Sequence, residues 1–282
     1  MPDSIHRVAA LFRYPLKSAA GVSCREIELD RFGVRDDRRW MMIDPAGIPV
    51  TQREAPRLAL LRARSSPEGL HLEWRNGEGE GSGDAHTTVE RPGRDAPRVP
   101  VTIWGDALRL PLAAEAANVW LTGRLGLEAR LAWMPDDVDR PVNPRYATPA
   151  DRTSLTDGYP LHVIGSGSMA DLNGRLEHPV GVERFRPNVY VEGPSAFDED
   201  SWAKVRIGGS ILRVVKPCPR CAVTTVDPAT GSRGKEPLRT LSAYRKREGG
   251  VMFGQNALHE GTGTLRIGDA VEVLSRRDAP AA

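Results

Sequence analysis

Cysteine is scarce in this chain of 282 residues: there are three, at positions 24, 218 and 221. An odd and sparse set cannot form the disulfide framework of a secreted scaffold, which points to a reducing, cytoplasmic setting. Long apolar runs are also missing. No stretch approaches the roughly 20 residues that a membrane-crossing helix requires, and Met1-Pro-Asp-Ser-Ile-His-Arg7 lacks the basic-then-apolar order of a secretory signal. Charge of one sign is not in excess, since 39 basic and 37 acidic side chains leave a formal charge of +2. That balance lacks the concentrated basic field that nucleic acid demands. Neither nucleic acid nor membrane is therefore expected as a partner. What is present is a chain 40% hydrophobic and 27% charged, enough for a buried core and for solubility.

Short β-like runs bounded by Gly, Pro, Asp or Ser fill the first hundred residues. They are Arg7–Arg13, Glu26–Leu29, Arg39–Ile43, Leu58–Leu61, Leu70–Trp74 and Val99–Ile103. Between Asn76 and Arg98 almost nothing is apolar, and a solvated loop is expected there. Leu112–Leu125 has helical spacing, with Ala116, Val119, Trp120 and Gly123 on one face. Ala129–Met134 reads as a strand. A second helix is signalled at Ser166 and Ser168, with Met169, Leu172 and Leu176 on a stripe. Val205–Ile207 with Ile211–Val215, and Thr264–Ile267 with Ala270–Leu274, read as two hairpins across Gly-containing turns. The expected fold is mostly β (α+β), with small barrels or sandwiches and a few helices.

Chemistry concentrates in a few segments. Cys218-Pro-Arg-Cys221 precedes another β-like run, Ala222-Val-Thr-Thr-Val-Asp227. Three functional readings stand beside that of two buried structural cysteines. A thioredoxin-type pair normally opens a helix. A structural zinc site needs four ligands, and no second such pair or paired histidines complete it. The third reading is a single thiolate ligand held next to Arg220. Tyr14-Pro-Leu-Lys17-Ser18, Arg35-Asp-Asp-Arg38-Arg39-Trp40 and Arg184-Phe-Arg186-Pro-Asn188 add Lys, Ser, Arg and Asn donors. Each alone reads most simply as a solvated surface cluster. Together they suit an anionic ligand rich in heteroatoms.

The ordered set of motifs resembles a known family. Leu11-Phe-Arg-Tyr-Pro-Leu-Lys-Ser18 through Gln52-Arg53-Glu54 looks like the β-barrel domain that precedes MOSC domains. Asp157-Gly-Tyr-Pro160, Ala170-Asp-Leu-Asn173, Arg184–Asn188, Asp200-Ser-Trp202 and Cys221 through Pro228 look like the MOSC domain itself. Gly231, Lys235-Glu-Pro-Leu238, Phe253-Gly-Gln255 and Gly268-Asp269 continue the match, which covers about residues 5–275. The resemblance implies an N-terminal β-barrel domain over 1–125 packed on a MOSC β-barrel over 126–282. It extends to the mitochondrial amidoxime-reducing component and its bacterial relatives.

That resemblance implies a molybdenum cofactor with Cys221 as the thiolate ligand to the metal. Lys17, Ser18, Arg38, Asp157, Gly158, Tyr159, Arg186, Asn188 and Arg220 match positions that hold the molybdopterin and its phosphate. Cys218 falls at the edge of the site and Cys24 reads as structural. The implied activity is reduction of N-hydroxylated substrates, with Cys221 as the catalytic metal ligand. The rival is a cofactor carrier or sulfur-transfer module without turnover. Asp227 is a candidate proton donor, although a turn residue before Pro228 is the simpler reading. Asn256 replaces an aromatic residue found in a relative. The chain ends at Ala282 without four cluster-binding cysteines. The expected electron source is therefore a separate protein of the ferredoxin, flavodoxin or flavin-reductase type.

Overall fold

The computed structural model describes residues 6–75 and 85–277. The N-terminal part contains β1 (His6–Arg13), β2 (Val22–Cys24), β3 (Glu26–Asp30), β4 (Gly33–Val34) and β5 (Trp40–Ile43). There follow β6 (Leu61–Ser65), β7 (Gly69–Trp74), β8 (His86–Glu90), β9 (Arg98–Ile103), β10 (Asp106–Pro111), α1 (Glu115–Leu125) and β11 (Arg130–Trp133). The second part runs β12 (Leu161–Gly165), α2 (Ser166–Asn173), β13 (Val189–Glu192), β14 (Trp202–Ile207) and β15 (Ser210–Arg220). It ends with α3 (Leu238–Tyr244), β16 (Lys246–Arg247), β17 (Gly250–Glu260), β18 (Gly263–Arg266) and β19 (Ala270–Arg276). The fold is mostly β, as the short alternating runs predict.

Seven strands close a barrel in the order β12-β13-β1-β19-β14-β15-β17, with β17 returning to β12. Closure leaves no stave with an unpaired edge. Val8, Leu11, Val163, Val191, Trp202, Val205, Leu212 and Ala257 fill its interior. The stave β1 comes from the start of the chain, and β3 pairs with β18 from near its end. Chain order and barrel membership therefore do not coincide. A second core, with Trp40, Met42, Leu61, Leu70, Trp74 and Leu121, lies among β5, β6, β7 and α1.

Several expectations fail for definable reasons. Leu58–Leu61 is mainly a 3₁₀ turn over Pro56–Leu60, because Pro56 sits at its first position, where a missing N–H costs nothing. The run 76–98 is not all loop. Residues 76–84 lie outside the described set, but His86–Glu90 pairs with β7 and buries only Val89, so its polar composition hid a solvent-facing strand. In α1 the buried residues are Ala117, Asn118 and Leu121, while Val119 is 62% exposed. The Asn118 carboxamide accepts from the Leu131 N–H at 2.8 Å, which turns the polar position inward and rotates the expected face. No serine side chain caps α2, whose first flanking residue is Gly165, although Met169 and Leu172 are buried as expected. The hairpin of β14 and β15 forms, but Thr264–Ile267 and Ala270–Leu274 do not pair with each other. β18 takes β3 as its partner, and β19 lies between β1 and β14.

Candidate functional site

The Cys218–Cys221 segment hangs at the end of β15. Pro217 and Pro219 have no N–H to give, and the ladder to β17 shifts register between Val214 and Lys216 and again between Pro217 and Pro219. Within the extended stretch, residues two apart share a side. The Arg220 guanidinium accordingly donates to Cys218 Sγ (3.0 Å), and also to the Phe185 carbonyl (2.8 Å). The expectation that Arg220 sits on Cys221 gives way to another arginine: Arg53 Nη2 lies 3.1 Å from Cys221 Sγ. After Cys221 the expected β-run is instead a 3₁₀ turn, Ala222–Thr225. Thr224 and Thr225 donate their hydroxyls back to the carbonyls of Cys221 and Ala222 (3.0 and 2.8 Å), which overrides their β preference.

A cleft of about 250 Å³ opens at this point. All ten residues singled out from the sequence line it: Lys17, Ser18, Arg38, Asp157, Gly158, Tyr159, Arg186, Asn188, Arg220 and Cys221. They come from the loop after β1, the turn before β5, the segment before β12, the turn before β13 and the end of β15. Cys218 lines the cleft too, whereas Cys24 sits in β2 against the barrel core. Asp227 is not among the lining residues. Its carboxylate accepts from the Ala229 N–H (2.8 Å) and from Arg184 (2.8 Å), which is the turn role.

Charge in the cleft is lopsided. Lys17, Arg38, Arg53, Arg186, Lys216 and Arg220 line it against the single carboxylate of Asp157. Lys17 Nζ donates to Asp157 Oδ1 (2.5 Å) and to the Leu155 carbonyl (2.9 Å), and burial lowers its pKa. Burial works to raise the Asp157 pKa, but Lys17, Trp104 and Arg53 outweigh it and hold the carboxyl below the usual range. Burial, and then Arg38, lower the Arg186 pKa to about 10. Tyr14 lies between these two guanidinia, its ring 4.2 Å from Arg38 Cζ and 4.3 Å from Arg186 Cζ. Asn188 is wholly engaged inside the protein. Its amide donates to the Phe12 carbonyl and Asp37, and its oxygen accepts from the His162 N–H and from Arg38. It positions Arg38.

Two observations bear on what the cleft could hold. Arg186 Nη2 and Arg220 Nε are buried without a hydrogen-bond partner, a state that is costly unless a ligand accepts from them. Backbone strain also gathers here. Six described non-glycine residues have positive φ, and Ser18 (66°), Arg38 (46°) and Arg186 (56°) line the cleft, while Trp104 (52°) donates to the lining Asp157. Each such residue costs on the order of 1–3 kcal/mol, a load usually kept where function requires it.

Among the described residues no group of three or more His, Cys, Asp or Glu side chains could hold a metal ion. A metal at Cys221 would need the rest of its ligands from a bound organic group. The donor set, a soft sulfur with unpartnered guanidinium N–H groups in the same cleft, fits an anionic cofactor of that kind.

Sequence reasoning missed Arg53, His162 and Trp104. His162 is buried and lies with Nε2 3.3 Å from Arg220 Nη1. Burial, Arg220 and Arg38 hold its pKa well below the ordinary imidazole value. The Phe253-Gly-Gln255 motif is explained by the same contact: a Cβ on Gly254 would stand 2.5 Å from His162 Nε2. Arg53 had only its place in Gln52-Arg53-Glu54 as a signal. Its partner thiol is 168 positions away.

Comparison with known proteins agrees with this architecture. The MOSC domain model matches residues 150–272, and the MOSC N-terminal beta barrel domain model matches residues 5–128. The chain belongs to the family of MOSC-domain proteins that carry this N-terminal barrel domain. It is 33% identical over 292 residues to the mitochondrial amidoxime-reducing component 1 of Homo sapiens, covering 97% of this chain and 85% of the human protein. It is 34% identical to that of Mus musculus, covering 97% and 84%. Among solved structures, the YUAD protein from Bacillus subtilis aligns over 97% of this chain and 98% of its own, at 11% identity and a TM-score of 0.42. No helix among the described residues is long and apolar enough to cross a membrane.

Proposed function

We propose that this protein is a molybdenum-cofactor-dependent reductase of N-hydroxylated compounds, with Cys221 as the protein's thiolate ligand to the metal. The observation that carries the reading is the convergence on one cleft of a thiol, an excess of cations and two unpartnered guanidinium donors. The names of the relatives, amidoxime-reducing components, support the same activity. When bound, the cofactor supplies two-electron chemistry at a metal.

The chain's own residues bind, orient and tune. Lys17, Arg38 and Arg186 would neutralise the anionic end of the cofactor, with Ser18, Asp157, Gly158, Tyr159 and Arg220 around it and Asn188 holding Arg38. Arg53 donates to Cys221 Sγ and so orients the sulfur in the cleft. Asp157, with its carboxyl kept ionised by two hydrogen-bond donors, Lys17 and Trp104, and by the charge of Arg53, is an acceptor rather than an acid. Burial raises the Tyr159 pKa to about 12, so its phenol keeps its proton and can donate a hydrogen bond. The net reaction takes R–NH–OH, two electrons and two protons to R–NH₂ and water. We assign the electrons to a separate donor protein, since a lone thiol pair and a metal site offer no hydride-binding motif.

The test is turnover by cofactor-loaded protein with a hydroxylamine and a reduced viologen. Reduction to the amine is expected with viologen and not with a nicotinamide cofactor alone. Tight cofactor binding with no reduction by any donor would instead support the carrier or sulfur-transfer reading.

A further inference from the structure

A second cavity, about 800 Å³, adjoins the cleft and shares Asp157, Gly158, Tyr159 and Lys216 with it. Its lining mixes apolar residues such as Pro141, Val142, Pro144 and Ala147 with polar ones, and one residue there is out of place. Trp104 is 62% exposed, the most expensive side chain to leave in water. It also occupies, with Gly105, the two-residue turn between β9 and β10, where Ile103 pairs with Asp106. Both turn residues have positive φ (52° and 93°). Such a turn favours Asn or Asp before Gly, and a bulky aromatic is strained in it. Neither the turn nor any core requires this indole.

Its contacts show where it is aimed. Trp104 Nε1 donates to Asp157 Oδ1 (3.1 Å), and its ring lies 5.0 Å from Arg53 Cζ. The same Arg53 guanidinium touches Cys221 Sγ. One side chain therefore separates the indole from the thiol. Tyr159, which lines both cavities, meets Tyr146 edge to face (6.2 Å), and Lys216 Nζ lies over both rings at 5.9 and 5.2 Å. An indole and a phenol thus line the cavity that leads to Cys221.

We infer that this vestibule seats a flat aromatic ring carried by the substrate, with Trp104 as the wall that selects aryl over alkyl N-hydroxylated compounds. This rests on the proposed reductase reading. The occupant follows from the position: a ring stacked beside Trp104 projects its N–OH group past Arg53 toward Cys221. Offset stacking on an indole rewards a planar ring and gives nothing to a methyl group. The shared lining makes cavity and cleft one continuous path.

Benzhydroxamic and acetohydroxamic acids are suitable substrates, and their products benzamide and acetamide are neutral, non-reducible ligands. By titration calorimetry, benzamide should bind at least tenfold more tightly than acetamide. Trp104→Asn should shrink that ratio to threefold or less, and Trp104→Phe should fall between. The kcat/KM ratio of the two hydroxamic acids should drop about tenfold in Trp104→Asn. The same variant should melt at or above the temperature of the parent, because Asn suits the turn, which a purely structural tryptophan would not permit. Equal binding of the two amides, or an aryl preference unchanged in Trp104→Asn, overturns the inference even if reduction proceeds. Aryl-selective binding lost with Trp104, in a protein that reduces no N-hydroxylated compound, upholds the ring seat while removing the reductase reading.

Discussion

Two buried polar networks in this molecule use the same residue types to opposite ends. Around Asp200, one oxygen accepts from Arg245 (2.6 Å) and the other from Gln255 (2.7 Å), while Arg277 donates to Gln255 Oε1 (2.7 Å). Both Asp200 oxygens are satisfied, and of the cations around it only Arg247, 3.5 Å away, keeps one buried nitrogen without a partner; the network ties β17 to the chain on both sides of β14. The cleft has six lining cations, one lining carboxylate and two buried guanidinium nitrogens without partners. Strain separates the two as well: the cleft holds three of the positive-φ residues, and neither Arg245, Gln255 nor Arg277 is one. What sets the two apart is charge: around Asp200 cation meets carboxylate, while in the cleft cations outnumber carboxylates, the arrangement that the proposed anionic cofactor would balance.

Substitutions can break this contrast, and the largest effect should come at the thiol. Cys221→Ala should remove bound molybdenum and lower N–O reduction at least 100-fold, with the melting temperature within about 2 °C of the parent. Metal analysis and viologen-coupled assays check both halves. Cys24→Ala should leave activity and metal content intact. Full activity in Cys221→Ala removes the ligand assignment.

The next effect belongs to the Asp200 network and should appear in stability instead. Asp200→Ala strands Arg245 and Gln255 in the interior, and breaking such a buried pair costs about 3–5 kcal/mol. Urea denaturation should show that loss. The cofactor content of the protein that remains folded should be unchanged.

Arg186→Gly should show the reverse pattern. It removes a guanidinium with an unpartnered nitrogen and lets a residue without a side chain take φ = 56°. Relief of strain offsets the lost bond to the Ala19 carbonyl, so stability should change by less than about 1 kcal/mol. A charge-assisted bond is worth roughly 1.5–3 kcal/mol, so cofactor affinity should fall about 10- to 150-fold. Pterin fluorescence of released cofactor measures it. A large stability loss with full cofactor retention would assign Arg186 to the fold alone.

How much of this contrast was legible in the chain depends on separation. Lys17, Ser18, Arg38, Arg186, Asn188 and Arg220 lie in short Pro-, Gly- or Arg-bearing runs whose composition and resemblance mark them, and the fold brings all of them to one cleft. Arg53 and Trp104 were not legible, because their meaning comes from Cys221 and Asp157, which are distant in sequence. The β-branched Val223-Thr-Thr225 misled, since two hydroxyl bonds to nearby carbonyls decide its shape. The positive-φ backbone has no sequence signal at Arg or Ser at all.

The smallest effect tests whether the surplus of cations is felt by its neighbours, through the pH dependence of stability. His162 is buried, and Arg220 donates toward its Nε2 at 3.3 Å while Arg38 adds further positive field. Burial and both arginines therefore keep the imidazole neutral in the folded protein, with a pKa well below 6.5. In the unfolded chain the same group titrates near 6.5. Below that pH the unfolded state binds a proton that the folded state refuses. Stability contributed by neutral His162 is thus present above about pH 6.5 and is lost as pH falls, with a slope approaching 1.36 kcal/mol per unit. Between pH 6.5 and 5 the loss amounts to roughly 1.5 kcal/mol. His162→Gln keeps an acceptor for Arg220 and cannot be protonated, so the stability difference between parent and variant should shift by that amount across the interval. Denaturation curves at pH 6.5 and 5 measure it, with the other five histidines cancelling in the difference. A flat difference would mean that His162 takes up its proton in the fold, and that the cleft's cations are already compensated before any ligand binds.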